Sequence, residues 1–430
     1  YYTLLPARYA LMPGAVLVSA AGGSSGLGTI EMPDKSSVVS GFRFNSLNGE
    51  RTVPTVATRF ELASSGVVRK RAEYQDFLAS SFLKKAAEEA NATVPRLPMD
   101  SGHLVFQATQ AMELLGEVAS NSVSGGRGSS IDISTQLDTY IGTGPAPAGA
   151  ITLDAASLNA FGAESLLIGG RRSSTADGVT VDVRSGSVTV DNAGSPISAK
   201  DVVLVAKNGI TVKSGAEIRS SGALADADTL HLSGNGTLLR VSADADAAVV
   251  RTGANSSTSP VLTVGAGATL AGKGIILDST SSLSLDPAAN LLADAYGFSS
   301  GRVSVDLGGN GGLPSDAGLV LTNSLLDDFS KAKSLSFLSY SSLDLYGTGT
   351  FGSSSLGKLA LSAGEIRGFG TDGGTARIAA NELLIQNTAN VVASGTPPLA
   401  PGTLELQAGT LSFGPGQVAV NGYKQLTLSA

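Results

Sequence analysis

Along this chain apolar residues alternate with polar ones over short runs, and glycine punctuates the runs. Residues 202–222, VVLVAKNGITVKSGAEIRSSG, carry the pattern in its densest form. Val202, Leu204 and Ala206 alternate with Val203 and Val205, Ile210 and Val212 flank Thr211, and Ala216 and Ile218 flank Glu217. A period of two predicts three short strands. Between them, corners at Lys207-Asn208-Gly209 and Lys213-Ser214-Gly215 are expected to use glycine for a backbone of positive φ. One such circuit of about twenty residues cannot bury its own apolar face, so the pattern must repeat to be stable.

It does repeat. Apolar pairs begin at Leu335, Leu359, Leu383, Leu404 and Leu426, in steps of 24, 24, 21 and 22 residues. Looser copies are LHL at Leu230, LTV at Leu262, LSL at Leu283 and VSV at Val303, with the extra residues read as loops grown from corners. A near-constant period of this size predicts an all-β chain folded as a right-handed parallel β-helix, a solenoid with coils about 4.8 Å apart. A β-sandwich would instead show hairpin spacing of about 8 to 12 residues and little self-similarity. The expected organisation is 1–66 as irregular segments or early coils, 67–98 as a helical insertion, 99–150 as coils with Gly/Pro loops, and 151–430 as the regular shaft.

The insertion breaks the two-residue period. Within 67–91, Tyr74, Phe77, Leu78, Ser81 and Phe82 fall on one helical stripe. Lys84 with Glu88 and Lys85 with Glu89 form i,i+4 pairs, and Pro95 and Pro98 end the element. The stripe is expected to pack on the flank of its own protein. In 99–150, Leu104 with Phe106 and Met112 with Leu114 read as strand pairs, separated by loops at 122–130 and 142–149. Further polar excursions at 223–260 and 308–316 are where a rigid scaffold carries binding specificity.

Composition narrows the function classes. The 430 residues include no cysteine, no tryptophan, two histidines and 54 glycines, and only 15% are charged, which suits tight, thin-walled coils. A net charge of -7 argues against nucleic acid, and the densest basic cluster, Arg69-Lys70-Arg71, is short. No apolar run is long enough for a membrane-spanning helix. Freedom from cysteine suits export across two membranes, which places the chain at a Gram-negative surface. The chain starts at Tyr1 and stops in a strand pattern, QLTLSA, so it reads as a piece of a longer protein.

Candidate chemistry is sparse. A polysaccharide-cleaving site on this fold would need clustered acids with a nearby cation. Asp327-Asp328 lies far in sequence from His103 and His231, and His231 alternates with Leu230 and Leu232, which turns it outward. A calcium roll needs tandem Gly-Gly-x-Gly-x-Asp. Gly308-Gly309-Asn310-Gly311 is one copy that continues into Gly312 and Leu313. Asp226, Asp228, Asp244 and Asp246 read as solvated loop acids. Asn91, Asn235 and Asn255 sit in formal glycosylation sequons of little weight in a bacterial chain. No catalytic, cofactor-binding or metal residue is assigned, no cofactor is expected, and the chain is not read as an enzyme.

The opening YYTLLPARYALMPGA, residues 1–15, resembles a motif of large exoproteins of the filamentous haemagglutinin type, and the coil pattern is similar to their shafts and to autotransporter passengers. That resemblance implies a secreted, cell-surface adhesin exported through an outer-membrane transporter of a two-partner secretion system. Its partners would be host glycans, host proteins or biofilm polysaccharide. The family's amino-terminal secretion domain is not in evidence, which implies a later part of the shaft. The alternatives are a β-helical carbohydrate-active enzyme and the stalk of a contact-dependent toxin-delivery exoprotein.

Overall fold

A computed structural model describes residues 4–24, 28–44, 51–74, 78–116, 118–176, 178–224, 227–309, 313–314, 318–322, 325, 329, 332–393 and 400–430. Strands take up 49% of the structure and helices 8%, so the chain is all-β in class. It divides into two compact units, Tyr1–Pro98 and Met99–Ala430.

In the first unit the strands lie in the order Val16–Ser24, Arg51–Ser64, Ser37–Phe44, Ile30–Glu31, and every pairing is antiparallel. These are hairpins and not coils. The backbone amide of Lys35 donates to the Met32 carbonyl, and Lys35 takes a φ of 68°. That tight turn returns the chain beside itself at once, which only antiparallel strands permit. Ala63, Val67 and Val68 form a small core against Leu11 and Leu17.

The expected helix over 67–91 is two helices, Ser65–Arg71 and Ala79–Glu89. Extended backbone at Ala72 ends the first, and extended backbone at Leu78 precedes the second. Phe77 lies outside the described residues. Leu78 and Phe82 are 78% and 56% exposed, whereas Leu83 is half-buried and Ala87 buried. The helix therefore turns Leu83 and Ala87 inward and not the expected Leu78 and Phe82, and Tyr74 precedes it altogether. Lys84 and Lys85 do reach Glu88 and Glu89, at 4.0 and 3.7 Å on an exposed face.

The second unit is built from parallel ladders. Residues 202–222 form three strands, Asp201–Ala206, Gly209–Val212 and Glu217–Ser220, and each joins a different sheet. The first lies in a long sheet of thirteen strands, the second in a sheet of six, and the third in a sheet of four. The preceding circuit visits the same sheets: Ser187–Asp191 pairs with Gly209–Val212, and Ile197–Ala199 with Glu217–Ser220, both in parallel. Val261–Val264 and Thr269–Ala271 then add to the same two ladders. Later circuits use a five-stranded sheet that includes Val303–Asp306, Ser342–Tyr346 and Glu365–Phe369.

One-to-one register explains the core. Val202, Val241, Ile275, Tyr296, Leu335 and Leu359 follow one another across the long sheet, all buried. Each such side chain removed from water contributes about 1.5–3 kcal/mol. Gly215 takes a φ of 71° at its corner as expected. Gly209 is needed for another reason, since a Cβ there would meet the carbonyl oxygen of Val261 at 2.6 Å.

The structure also corrects the repeat. Leu335, Leu359 and Leu383 are true neighbours. Leu404, however, pairs with Ala376, and Leu383 pairs with Leu411. The strand Thr375–Gln386 is long enough to pair with Gly349–Gly352 through one half and Lys358–Ser362 through the other, so it carries two positions of the repeat. Leu262 and Leu283 stack in the six-stranded sheet, whereas Val303 belongs to the five-stranded one.

One strand of the long sheet runs backwards. Thr237–Ser242 is antiparallel to both neighbours, Asp201–Ala206 and Gly274–Ser279. The chain reaches it through Leu230–Ser233 and leaves through Val249–Thr252, which pair with each other in parallel. With the hairpin of Gly170–Thr175 and Gly178–Val183 they form a four-stranded cap sheet. The LHL at Leu230 is thus part of the cap and not of an inner coil. Leu230, Leu232, Val179 and Val181 pack on Val203, Val205 and Leu238 in a second hydrophobic cluster, apart from the main core. As a result every residue of Asp201–Ala206 and Thr237–Ser242 is buried.

Candidate functional site

The cap ends beside the strand Gly274–Ser279, and from there the outer face of the long sheet is open. A groove of about 450 Å³ runs over this face, across the strands that begin at Gly274, Ala295, Ser334 and Lys358, as far as Gln386. Five neighbouring strands span about 19 Å. Side chains on a strand alternate between faces, so the large residues Tyr296, Phe298 and Phe337 point into the core while their neighbours floor the groove. That floor is Gly297, Ser299, Ser336, Ala360 and Ser362, with Ile276 and Leu338 as its larger members. Residues 245–251 of the turn and strand leaving the reversed strand make one wall, and Thr388 with Ala389 another.

At the junction of cap and groove sits a buried charged cluster. Arg251 of the cap donates from Nε to Asp278 Oδ2 at 2.7 Å and from Nη1 to the Gly234 carbonyl at 3.1 Å. Tyr340 donates its hydroxyl to Asp278 Oδ1 at 2.8 Å. Both ionic side chains are 2% exposed. Burial, followed by the negative charge of Asp278, pushes the Tyr340 phenol far above its usual range, so it stays a donor. Burial works against the Arg251 charge, but Asp278 and Tyr340 outweigh it and the guanidinium is held more firmly protonated than usual.

Two more buried pairs pin the covered region. Arg172 of the cap reaches Asp132 at 2.7 Å, and Arg240 of the reversed strand holds Asp201 through two bonds of 2.9 and 3.1 Å. Pairs buried this deeply add little net stability but are costly to break, because one removed partner strands the other charge. In the five-stranded sheet Arg367 grips Asp344 in the same way, at 2.8 and 2.7 Å.

The residues weighed from sequence are dispersed. His103 lies with Nε2 2.8 Å from Asp132 Oδ2, a carboxylate already engaged by Arg172. His231 is half-buried in the cap strand Leu230–Ser233, on the face opposite Leu230 and Leu232. Asp228 pairs with Arg127 at 3.1 Å. Asp244 accepts the backbone amides of Ala227 and Asp246, an acid spent on holding a turn. Asn235 and Asn255 bond each other across a loop. Gly309 donates its amide to Asp306. Asp226, Asp327, Asp328 and the residues 310–312 lie outside the described residues. Of the basic cluster, Arg69 donates to the Leu11 carbonyl, and Arg71 joins Asp34 and Glu61.

Comparison with protein-family models, with curated proteins and with solved structures returned no match.

The groove and its charged junction were not anticipated. Their signal was a lone ion inside an apolar strand: Asp278 in IILDS, Arg251 in VVRT and Arg240 in TLLRVS. Such an ion is tolerated only where a partner waits. Among the described residues no helix is long and apolar enough to cross a membrane, and no group of His, Cys, Asp and Glu is arranged to hold a metal ion.

Proposed function

We propose that residues 99–430 wind as a right-handed parallel β-helix and that the chain is a segment of a secreted, cell-surface adhesin of Gram-negative origin. The observation that carries the reading is the repeated visit to the same sheets in the same order, with each strand of the six- and four-stranded ladders pairing in parallel with its counterpart one circuit earlier. Right-handedness follows from the strong preference of parallel crossovers for that hand. The resemblance of residues 1–15 to filamentous haemagglutinin-type exoproteins, and a chain without cysteine, support export by two-partner secretion. In this role the coils are a stiff carrier, and open faces such as the groove make weak contacts with host glycans, host proteins or biofilm matrix that add up through multivalency.

An enzyme on the same architecture is less well supported. It would need a pair of carboxylates facing the groove, whereas of the described lining acids Asp278 is buried and held by Arg251 and Tyr340, which leaves only Asp246 exposed on the wall. The test is deletion of the gene in its own bacterium, followed by attachment to host-cell monolayers and biofilm mass. Loss of attachment to at least one surface is expected, and undiminished attachment to all of them overturns the reading.

A further inference from the structure

Taking the surface role as its basis, we infer that the groove beside the cap binds a segment of a neutral polysaccharide. Three features of the lining select that class. The first is charge. Among the described residues Arg251 is the cation of the lining, and its guanidinium is buried in an ion pair with Asp278 and a hydrogen bond to the Gly234 carbonyl. An acidic polymer, whether a polyuronate, a sulfated glycan or a nucleic acid, finds no exposed counter-charge among the described lining residues and meets the exposed carboxylate of Asp246 on the wall.

The second feature is hydrogen-bonding type. Ser299, Ser334 and the Gln386 amide line the space and can donate and accept, as sugar hydroxyls do. The Ser336 hydroxyl donates to the Tyr296 carbonyl and keeps its oxygen as an acceptor, and Thr388 shares a hydrogen bond with Ser362. The third is relief. Gly297 and Ala360 leave the floor shallow between Ile276 and Leu338, so the carbon face of a sugar ring can lie against backbone and small apolar groups. A peptide strand is the weaker fit. Strand addition needs an unpaired sheet edge, whereas the floor strands are already paired on both sides.

The experiment uses the full chain and immobilised linear hexasaccharides of glucose, mannose and galactose, with polygalacturonate and heparin as acidic probes, read by biolayer interferometry. The wild-type chain is expected to bind at least one neutral hexasaccharide and neither acidic polymer. Ala360→Trp, which fills the floor, should weaken that binding at least tenfold. Thr388→Trp, at an exposed rim position, should weaken it several-fold without touching the core. Thr189→Trp, outward on the six-stranded sheet, should leave it unchanged.

Preference for an acidic polymer, absence of neutral-glycan binding, or undiminished binding by a folded Ala360→Trp or Thr388→Trp chain would each overturn the inference. Its failure is separable from that of the surface role. If the Trp variants lose glycan binding but beads coated with them still adhere to host-cell monolayers, the groove is a glycan site and other faces carry adhesion. If the wild type binds no neutral glycan yet its beads adhere, the groove assignment falls and the surface role stands.

Discussion

Leu238 and Leu338 occupy the same outward column of the same long sheet, reached through Asp278 and Ser299, yet they live in different surroundings. Under the cap, Leu238 is fully buried among Val205, Leu230 and Leu232. Beyond the cap, Leu338 is half-buried on the open groove. The contrast extends along both strands. Outward positions under the cap are Leu167, Val203 and Val205, and those in the open are Gly297, Ser299, Ser336 and Ala360. Both stretches belong to one sheet, antiparallel around the reversed strand under the cap and parallel beyond it, and in each what lies over the sheet matches the outward side chains. The cover turns one stretch into core and leaves the other open to solvent.

The harshest way to break the covered stretch is to strand a charge in it. Asp201→Ala leaves Arg240 buried without its carboxylate and is expected to cost about 3–5 kcal/mol in urea denaturation. Replacing both partners by apolar residues should recover most of that loss. Next comes truncation within the shared column. Leu238→Ala should cost about 2–5 kcal/mol by loss of packing and cavity formation. Leu338→Ala should cost less, roughly 1 kcal/mol, because part of its surface is already in water. Equal costs would mean that the cap does not seal the sheet.

The smallest effect belongs to the first unit, where charge is held at the surface. The Ser36 hydroxyl and then Arg71 hold the Asp34 carboxyl well below its usual range, and Arg71 lowers Glu61 in the same sense. Groups with a depressed folded-state value stabilise the fold above the ordinary carboxylate range. That contribution is lost as pH falls through and below about 4. Amide protection in Ser37–Phe44 should therefore drop modestly between pH 6 and pH 3, and Arg71→Gln should flatten the dependence. An unchanged profile in the variant would show that the cluster does not matter.

The coil at 202–222 could be read from sequence because its strands, corners and apolar positions all agree. The run VVLVA even carried the mark of cover, since a strand buried on both faces has no polar position to alternate with. The reversed strand could not be read. TLLRVS has the same alternation in either direction, and strand polarity is set by the chain's route through the cap, which local pattern does not encode. LHL at Leu230 misled for a similar reason, because two inward leucines look alike whether they face the main core or the second cluster. The groove floor was hidden by its plainness: glycine, serine and alanine also make corners. In the first unit, sequence suggested irregular segments or early coils where a tight turn at Lys35 makes a hairpin.

Parallel one-to-one stacking underlies the fold, the groove and the proposed role, and a chain free of cysteine allows a clean test of it. Ser336 and Ala360 are register partners on adjacent strands, about 4.8 Å apart and within disulfide range. Ser336 and Ser362 are offset by two residues, about 8 Å and too far to bridge. Oxidised under mild conditions, Ser336→Cys/Ala360→Cys should cross-link nearly completely and Ser336→Cys/Ser362→Cys hardly at all, as read by non-reducing peptide mapping. Equal cross-linking of both pairs, or failure of the first, would contradict the stacking.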